Sequence, residues 1–116
     1  MTSAVARTIS ENYHFTICGL LGTYNEIHMN KTLMNNSDHG GLIVPGVATS
    51  VIMLGLRRQL PAVPNISAIY GFDRVRFLRP LIVDETVYLS TEILDLEPRE
   101  ADPETGLLRE KEDLYR

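Results

Sequence analysis

Between the Pro45-Gly46 pair and Pro61 the chain holds a run, Val47 to Leu60, in which nearly every side chain before Arg57 is apolar or small. Proline has no N–H to give and a fixed φ, so a helix over this run must stop at Pro61. Its most apolar part, Val47 to Leu56, is interrupted by Thr49, Ser50 and Gly55, and is about half the roughly 20 residues that crossing a bilayer takes. The run is therefore expected to be a buried helix of a globular domain. A helix apolar on all sides has to be covered on most of them, and the natural cover is a curved sheet made by the rest of the chain.

The later part of the chain supplies that pattern. In Asp73 to Phe77, Val75 and Phe77 fall on one face and Arg74 and Arg76 on the other; in Thr86 to Leu94, Val87, Leu89 and Ile93 share a face. Both stretches read as half-buried antiparallel strands, joined by a bend from Arg79 to Glu85. Glu97 to Gly106, with Pro98, Pro103 and Gly106, reads as a hairpin loop. Leu107 to Arg116 fits either a helix seam or a strand exposing Arg109, Lys111 and Asp113, and the preceding loop favours the strand.

Earlier in the chain, Ser10 is a suitable N-cap for a helix reaching Leu21, with Glu11 in its first turn and Tyr13, Ile17, Leu20 and Leu21 as its apolar seam. Gly22 to Gly41 is irregular and rich in Asn and Gly, with one helical turn expected around Lys31 to Met34. Long ordered loops of this kind are often functional.

The chain has 116 residues, 44% of them hydrophobic, which suits a single domain, 1–116, with one core. At this size self-association hides further surface, and a homodimer or a higher oligomer is expected. A formal charge of -4 and the lack of any Lys/Arg run argue against a nucleic-acid partner. The first seven residues show no basic leader with an apolar block, and the one cysteine, Cys18, fits a reducing compartment. The expectations are a cytoplasmic protein, no membrane partner, and a Cys18 that is buried and inert.

Three segments carry a family resemblance: Arg7-Thr8-Ile9-Ser10; Gly22-Thr23-Tyr24-Asn25-Glu26-Ile27-His28; and Gly40-Gly41-Leu42-Ile43-Val44-Pro45-Gly46. Together they resemble the MaoC-like (R)-specific enoyl-CoA hydratase group of the hot-dog superfamily. The stretch Asp73 to Pro80, continuing through Asp84 to Tyr88, is similar to that family's first long hairpin. The resemblance implies an α+β hot-dog fold, an antiparallel sheet wrapped around Val47 to Leu60, working as a dimer. It also implies an N-terminal strand and final strands that are not evident in this sequence. The family loop reads Gly-Asp-x-Asn-Pro-Ile/Leu-His, with the Asp and the His as the catalytic pair. His28 matches the histidine and Asn25 the asparagine, while Thr23 stands at the aspartate and Glu26 at the proline. Gly46, followed by Val47, falls at the spacing of the glycine whose N–H binds the thioester oxygen.

Such a family implies a hydratase or dehydratase acting on a 2-enoyl-CoA or 3-hydroxyacyl-CoA thioester, with coenzyme A entering as part of the substrate and no other cofactor. That chemistry needs a base for water, an acid for the α carbon and donors for the enolate oxygen. An imidazole at His28 can take and give the proton. Gly46 at a helix start offers an N–H without a side chain in the way, though a Pro-Gly pair there is also ordinary helix-start chemistry. A threonine hydroxyl positions water but is no general base. Three outcomes stay open: His28 makes both transfers through a water held by Thr23 and Asn25, which is the favoured one; Glu26 or Asp38 supplies the carboxylate; or the chain is a non-catalytic, acyl-thioester-binding subunit of a heteromeric hydratase. His14 reads as a helix-surface residue and His39 as part of a loop turn. No ligand spacing supports a metal set from His28, Asp38 and His39, and none is expected. Arg57, Arg58, Arg74, Arg76 and Arg79 read as a solvated helix end and strand face, with pairing to coenzyme A phosphates the alternative.

Overall fold

The computed structural model describes residues 5–60, 69–99 and 106–116. They form β1 (Val5–Thr8), α1 (Glu11–Leu21), α2 (Glu26–Met29), α3 (Lys31–Asn35), α4 (Gly46–Arg57), β2 (Thr86–Pro98) and β3 (Gly106–Tyr115). The strands make one antiparallel sheet in the order β1-β2-β3. The expected α+β class, with the apolar helix against an antiparallel sheet, is the one the chain adopts.

Helix α4 starts one residue earlier than expected, at Gly46, and ends at Arg57 before a final turn to Leu60. Ala48, Ile52 and Leu56, four residues apart on one stripe, are buried against Ile9, Val44, Leu81, Val87 and Leu89. Burying an aliphatic side chain of this size contributes about 1.5–3 kcal/mol, so this cluster is the main source of stability. Cover by the described residues is one-sided: Val47 and Val51, on the far stripe, are 61% and 45% exposed. Pro61, the expected stop, lies outside the described residues.

In α1, Ser10 caps as expected, its Oγ accepting from the Tyr13 N–H at 3.1 Å. Gly22 closes the helix in the left-handed region at φ 75°, returning its N–H to the Cys18 carbonyl at 2.8 Å. The buried face is His14, Ile17 and Cys18, while Leu20 is 82% exposed. Of the expected seam, Ile17 is buried and Tyr13 packs against the core, while Leu20 and Leu21 are exposed; that half of the seam and a surface His14 are the expectations corrected here. Counting apolar residues alone missed that positions 14, 17 and 18 also share a helix face, and that the His14 ring finds an interior acceptor. Cys18 is buried, as expected.

Two further corrections concern strands. Residues 73–77 belong to no strand: Val75 and Phe77 are 46% and 56% exposed, and no neighbouring strand among the described residues pairs with them. Alternation gives a chain two faces, but a ladder needs a partner. The N-terminal strand that the sequence did not reveal is β1, four residues running Val5↔Leu89 to Thr8↔Thr86 against β2.

The strand expected over Leu107 to Arg116 is β3, but β2 runs past Leu94 to Pro98 and pairs Glu97 with Leu107 and Pro98 with Gly106, so these ends of the expected loop belong to the ladder; residues 100–105 lie outside the described residues. Strand β3 exposes Arg109, Lys111 and Asp113 and turns Glu110, Glu112 and Leu114 inward. Two carboxylates on an inward face need a cation, and Arg57 supplies it from the last turn of α4. Its Nε and an Nη donate to the two Glu110 carboxylate oxygens at 2.7 and 2.8 Å, and its Nε lies 3.9 Å from Glu112. Arg57 is 7% exposed, so the solvated helix end expected there is a buried ion pair instead.

Glu112 Oε1 and the hydroxyl of Thr91, its register partner, are buried without a hydrogen-bond partner among the described residues. Burial first, and then the neighbouring Glu110 carboxylate, push the Glu112 carboxyl above the usual carboxylate range, with Arg57 opposing. The folded chain therefore holds this proton to higher pH than the unfolded chain. The contribution is fully present below the unfolded value and is lost as pH rises through the folded one. Glu112→Gln is expected to flatten that fall and to raise stability at neutral pH by on the order of 1 kcal/mol, measured by urea unfolding across pH. An unchanged pH profile would remove Glu112 as its source.

Candidate active site

The motif histidine is held by its surroundings at both ring and backbone. Helix α2 is a single turn closed by the His28 N–H to the Asn25 carbonyl at 2.9 Å and the Asn30 N–H to the Glu26 carbonyl at 2.7 Å. It is fastened to the chain before α4 by the Ile43 N–H, which donates to the Ile27 carbonyl at 2.9 Å. That chain segment is docked on the bend before β2, where Val44 donates to the Leu81 carbonyl at 2.8 Å and Val83 to the Leu42 carbonyl at 3.0 Å.

His28 is buried, and its Nδ1 lies 2.6 Å from the Ile43 carbonyl oxygen. A carbonyl only accepts, so Nδ1 carries the hydrogen and donates. In the neutral ring the lone pair is then on Nε2, which is the state a base needs.

Gly46 opens α4. Thr49 is the first residue whose N–H reaches back to Pro45, at 3.0 Å, and Pro45 gives no side-chain cap. The N–H groups of the first turn thus have no intrahelical acceptor and carry the positive end of the helix dipole. Phe77 lies over this point: a Cβ built on Gly46 would sit 3.2 Å from the ring, closer than comfortable contact. A glycine at position 46 leaves room for the Phe77 ring to pack against the start of the helix. A cleft of about 270 Å³ opens beside it, lined by Ile43, Val44, Gly46, Thr49 and the segment from Phe77 to Leu81.

The structure brings Gly46 into this cleft and ties His28 to Ile43, one of its walls; His28, Asn25, Thr23 and Val47 do not line it. Asn25 is exposed at the N-cap of α2, with its side chain making no cap bond. Thr23 is half-buried, its hydroxyl oxygen enclosed without a hydrogen-bond partner among the described residues. Glu26, Asp38 and His39 are exposed, and among the described residues no group of three or more His, Cys, Asp or Glu side chains could share a metal ion.

Sequence reasoning passed over Phe77 and Thr49 as cleft residues, and His14 as a neighbour of His28. By alternation Phe77 reads as a strand residue, and Thr49 as an interruption in an apolar run. Their common signal is nearness to the Gly46 amide, which only the fold reveals.

The family model described as MaoC like domain matches residues 3–112. The chain belongs to that family. Its solved structural neighbours agree on the fold. A protein from Archaeoglobus fulgius described as a monoamine oxidase regulatory protein superposes with a TM-score of 0.80 at 22% identity, covering 98% of this chain and 76% of that one. The MaoC-like dehydratase from Rhodospirillum rubrum gives 0.73 at 16% identity, covering 99% and 80%. The (R)-hydratase from A. caviae involved in PHA biosynthesis gives 0.69 at 19% identity, covering 89% and 75%. A search of curated proteins gives no match. This MaoC-like domain therefore has the hot-dog architecture of hydratases and dehydratases, and among its described residues no helix is long and apolar enough to cross a membrane.

Proposed function

We propose that this MaoC-like domain adds water to the 2,3 double bond of a 2-enoyl-CoA, or removes it from the 3-hydroxyacyl-CoA. The observation that carries the reading is the His28 ring, whose Nδ1–H is committed to the Ile43 carbonyl so that Nε2 is left with its lone pair. In the hydration direction Nε2 takes a proton from water as the oxygen bonds to C3. The π electrons pass to C2 and the thioester oxygen, where the Gly46 N–H receives the developing charge. The imidazolium then returns its proton to C2. Of the two loop residues expected to hold the water, Asn25 is exposed with its side chain uncommitted and takes that part, while the enclosed Thr23 hydroxyl does not. Coenzyme A arrives as part of the substrate, its phosphates are taken by Arg79, which lines the cleft, and the working unit is a cytoplasmic homodimer or higher hot-dog oligomer.

The second reading, a silent subunit that binds acyl thioesters, is favoured by one feature: Thr23 has no carboxylate where the family loop has one. Crotonyl-CoA hydration separates the two. Under the first reading the wild-type protein turns over, and Thr23→Asp changes kcat/KM by less than about tenfold, since His28 already makes both transfers. Turnover that begins only with Thr23→Asp would establish the silent subunit and overturn the hydratase reading, because a missing acid or base typically costs about 10²- to 10⁴-fold.

A further inference from the structure

Helix α1 buries a histidine that the mechanism above does not use. His14 is 0% exposed, and its Nε2 lies 2.7 Å from the backbone carbonyl oxygen of His28. The carbonyl accepts, so Nε2 carries the hydrogen and donates. The Nδ1 lone pair then faces the interior, where the Cys18 thiol stands one helical turn along. Sγ lies 4.0 Å from Nδ1 and 3.8 Å from Nε2, against the ring, as a weak donor at most.

A buried imidazole costs free energy unless its polar atoms are bonded, and an aliphatic side chain would fill this site without that cost. What the imidazole provides is a donor for a carbonyl near the end of α2. A helix of one turn leaves its last carbonyls without helical partners, and the His28 carbonyl is one of them. His14 satisfies it from the buried side, while Ile43 receives the His28 ring. His28 is thereby held at two points by two different elements, α1 through its backbone and the chain before α4 through its side chain.

We propose that His14 is a positioning residue, fixing the peptide plane and ring of His28 through the Nε2–H to carbonyl hydrogen bond. This rests on the reading of His28 as the base. Without the tether the 28–29 peptide keeps, among the described residues, its Met29 N–H bond to the Asn25 carbonyl at 3.1 Å but loses the one on its carbonyl side, so it tilts about the remaining bond, the Nδ1 bond to Ile43 loses its alignment, and the lone pair of Nε2 no longer points at one place. Displacements of this size lower the rate of the chemical step without weakening substrate binding.

The test compares two side chains of similar length and shape in the full chain, His14→Gln, whose amide donates toward the same carbonyl, and His14→Met, which does not. With crotonyl-CoA, His14→Met is expected to lower kcat by roughly tenfold or more with KM within about twofold, and His14→Gln to recover most of that loss. Nitrogen NMR of the His28 ring supplies a reading independent of turnover. The Nδ1–H tautomer should dominate in the wild type and His14→Gln and be averaged in His14→Met. If no variant turns over but the tautomer follows the donor, the tether stands and the hydratase reading falls. Wild-type kcat and an unchanged His28 tautomer in His14→Met, or equal losses in both variants, would overturn the tether. If His14→Met does not fold, the wild type alone decides: a His14 ring carrying its hydrogen on Nδ1 rather than Nε2 would overturn it as well.

Discussion

Hydration of crotonyl-CoA by protein carrying His28→Asn is expected to fall by about 10²- to 10⁴-fold. Asparagine is the informative replacement because its side-chain NH₂ can still donate to the Ile43 carbonyl, which the Nδ1–H of His28 reaches at 2.6 Å. It keeps the anchor and removes the base. His28→Ala removes both and leaves a buried carbonyl without its donor, adding about 1–3 kcal/mol of instability to the same loss of rate. The pair separates chemistry from folding: both variants lose turnover, and only the alanine variant loses a substantial part of its resistance to urea. A rate for His28→Asn within a factor of two of the wild type would take His28 out of the proton transfers.

The largest effect on stability is expected from Arg57→Met, at about 3–5 kcal/mol. The guanidinium is buried and grips Glu110 with two hydrogen bonds, with Glu112 beside it. Removing the cation strands two inward carboxylates in a site from which water is largely excluded, and that accounts for most of the cost. Set against a total stability of about 5–15 kcal/mol, such a loss is a large fraction of what holds the domain folded. Arg57→Lys should recover only part of it, since an ammonium cannot reproduce the planar two-pronged grip. Adding Glu110→Gln and Glu112→Gln to Arg57→Met should restore most of the loss in urea unfolding. A triple variant as unstable as the single one would mean that packing of the arginine stem, not its charge, is what matters.

These two residues also show what could be read from the sequence and what could not. His28 and Gly46 stand out because their type and spacing match a family loop and helix start. Ser10 is legible as a cap, and Val87 and Leu89 as the inner face of a strand, because each follows from local stereochemistry. Arg57 looks like any basic helix end until β3 folds back on it, 53 positions later, with Glu110 facing inward. His14 is hidden for a related reason: its partner is a backbone carbonyl, which every sequence has at every position. Residues 73–77 show the opposite failure, since their alternation is genuine but no strand of the described sheet lies alongside them. Periodicity says which way side chains point, and long-range pairing decides whether anything meets them.

The order of the sheet carries a kinetic consequence. Its central strand is flanked by one that comes far earlier in the chain, with Thr8 and Thr86 meeting across 78 positions, and by one that follows it directly. A ribosome must therefore deliver almost the whole domain before the first strand can find its neighbour and before Arg57 can discharge onto Glu110. Until then α4 travels with its apolar stripe open, in a topology whose distant contacts close slowly. The nascent chain therefore carries exposed apolar surface for longer than one built from local contacts, and substitutions that slow closure are expected to lower yield in the cell before they lower stability in the test tube.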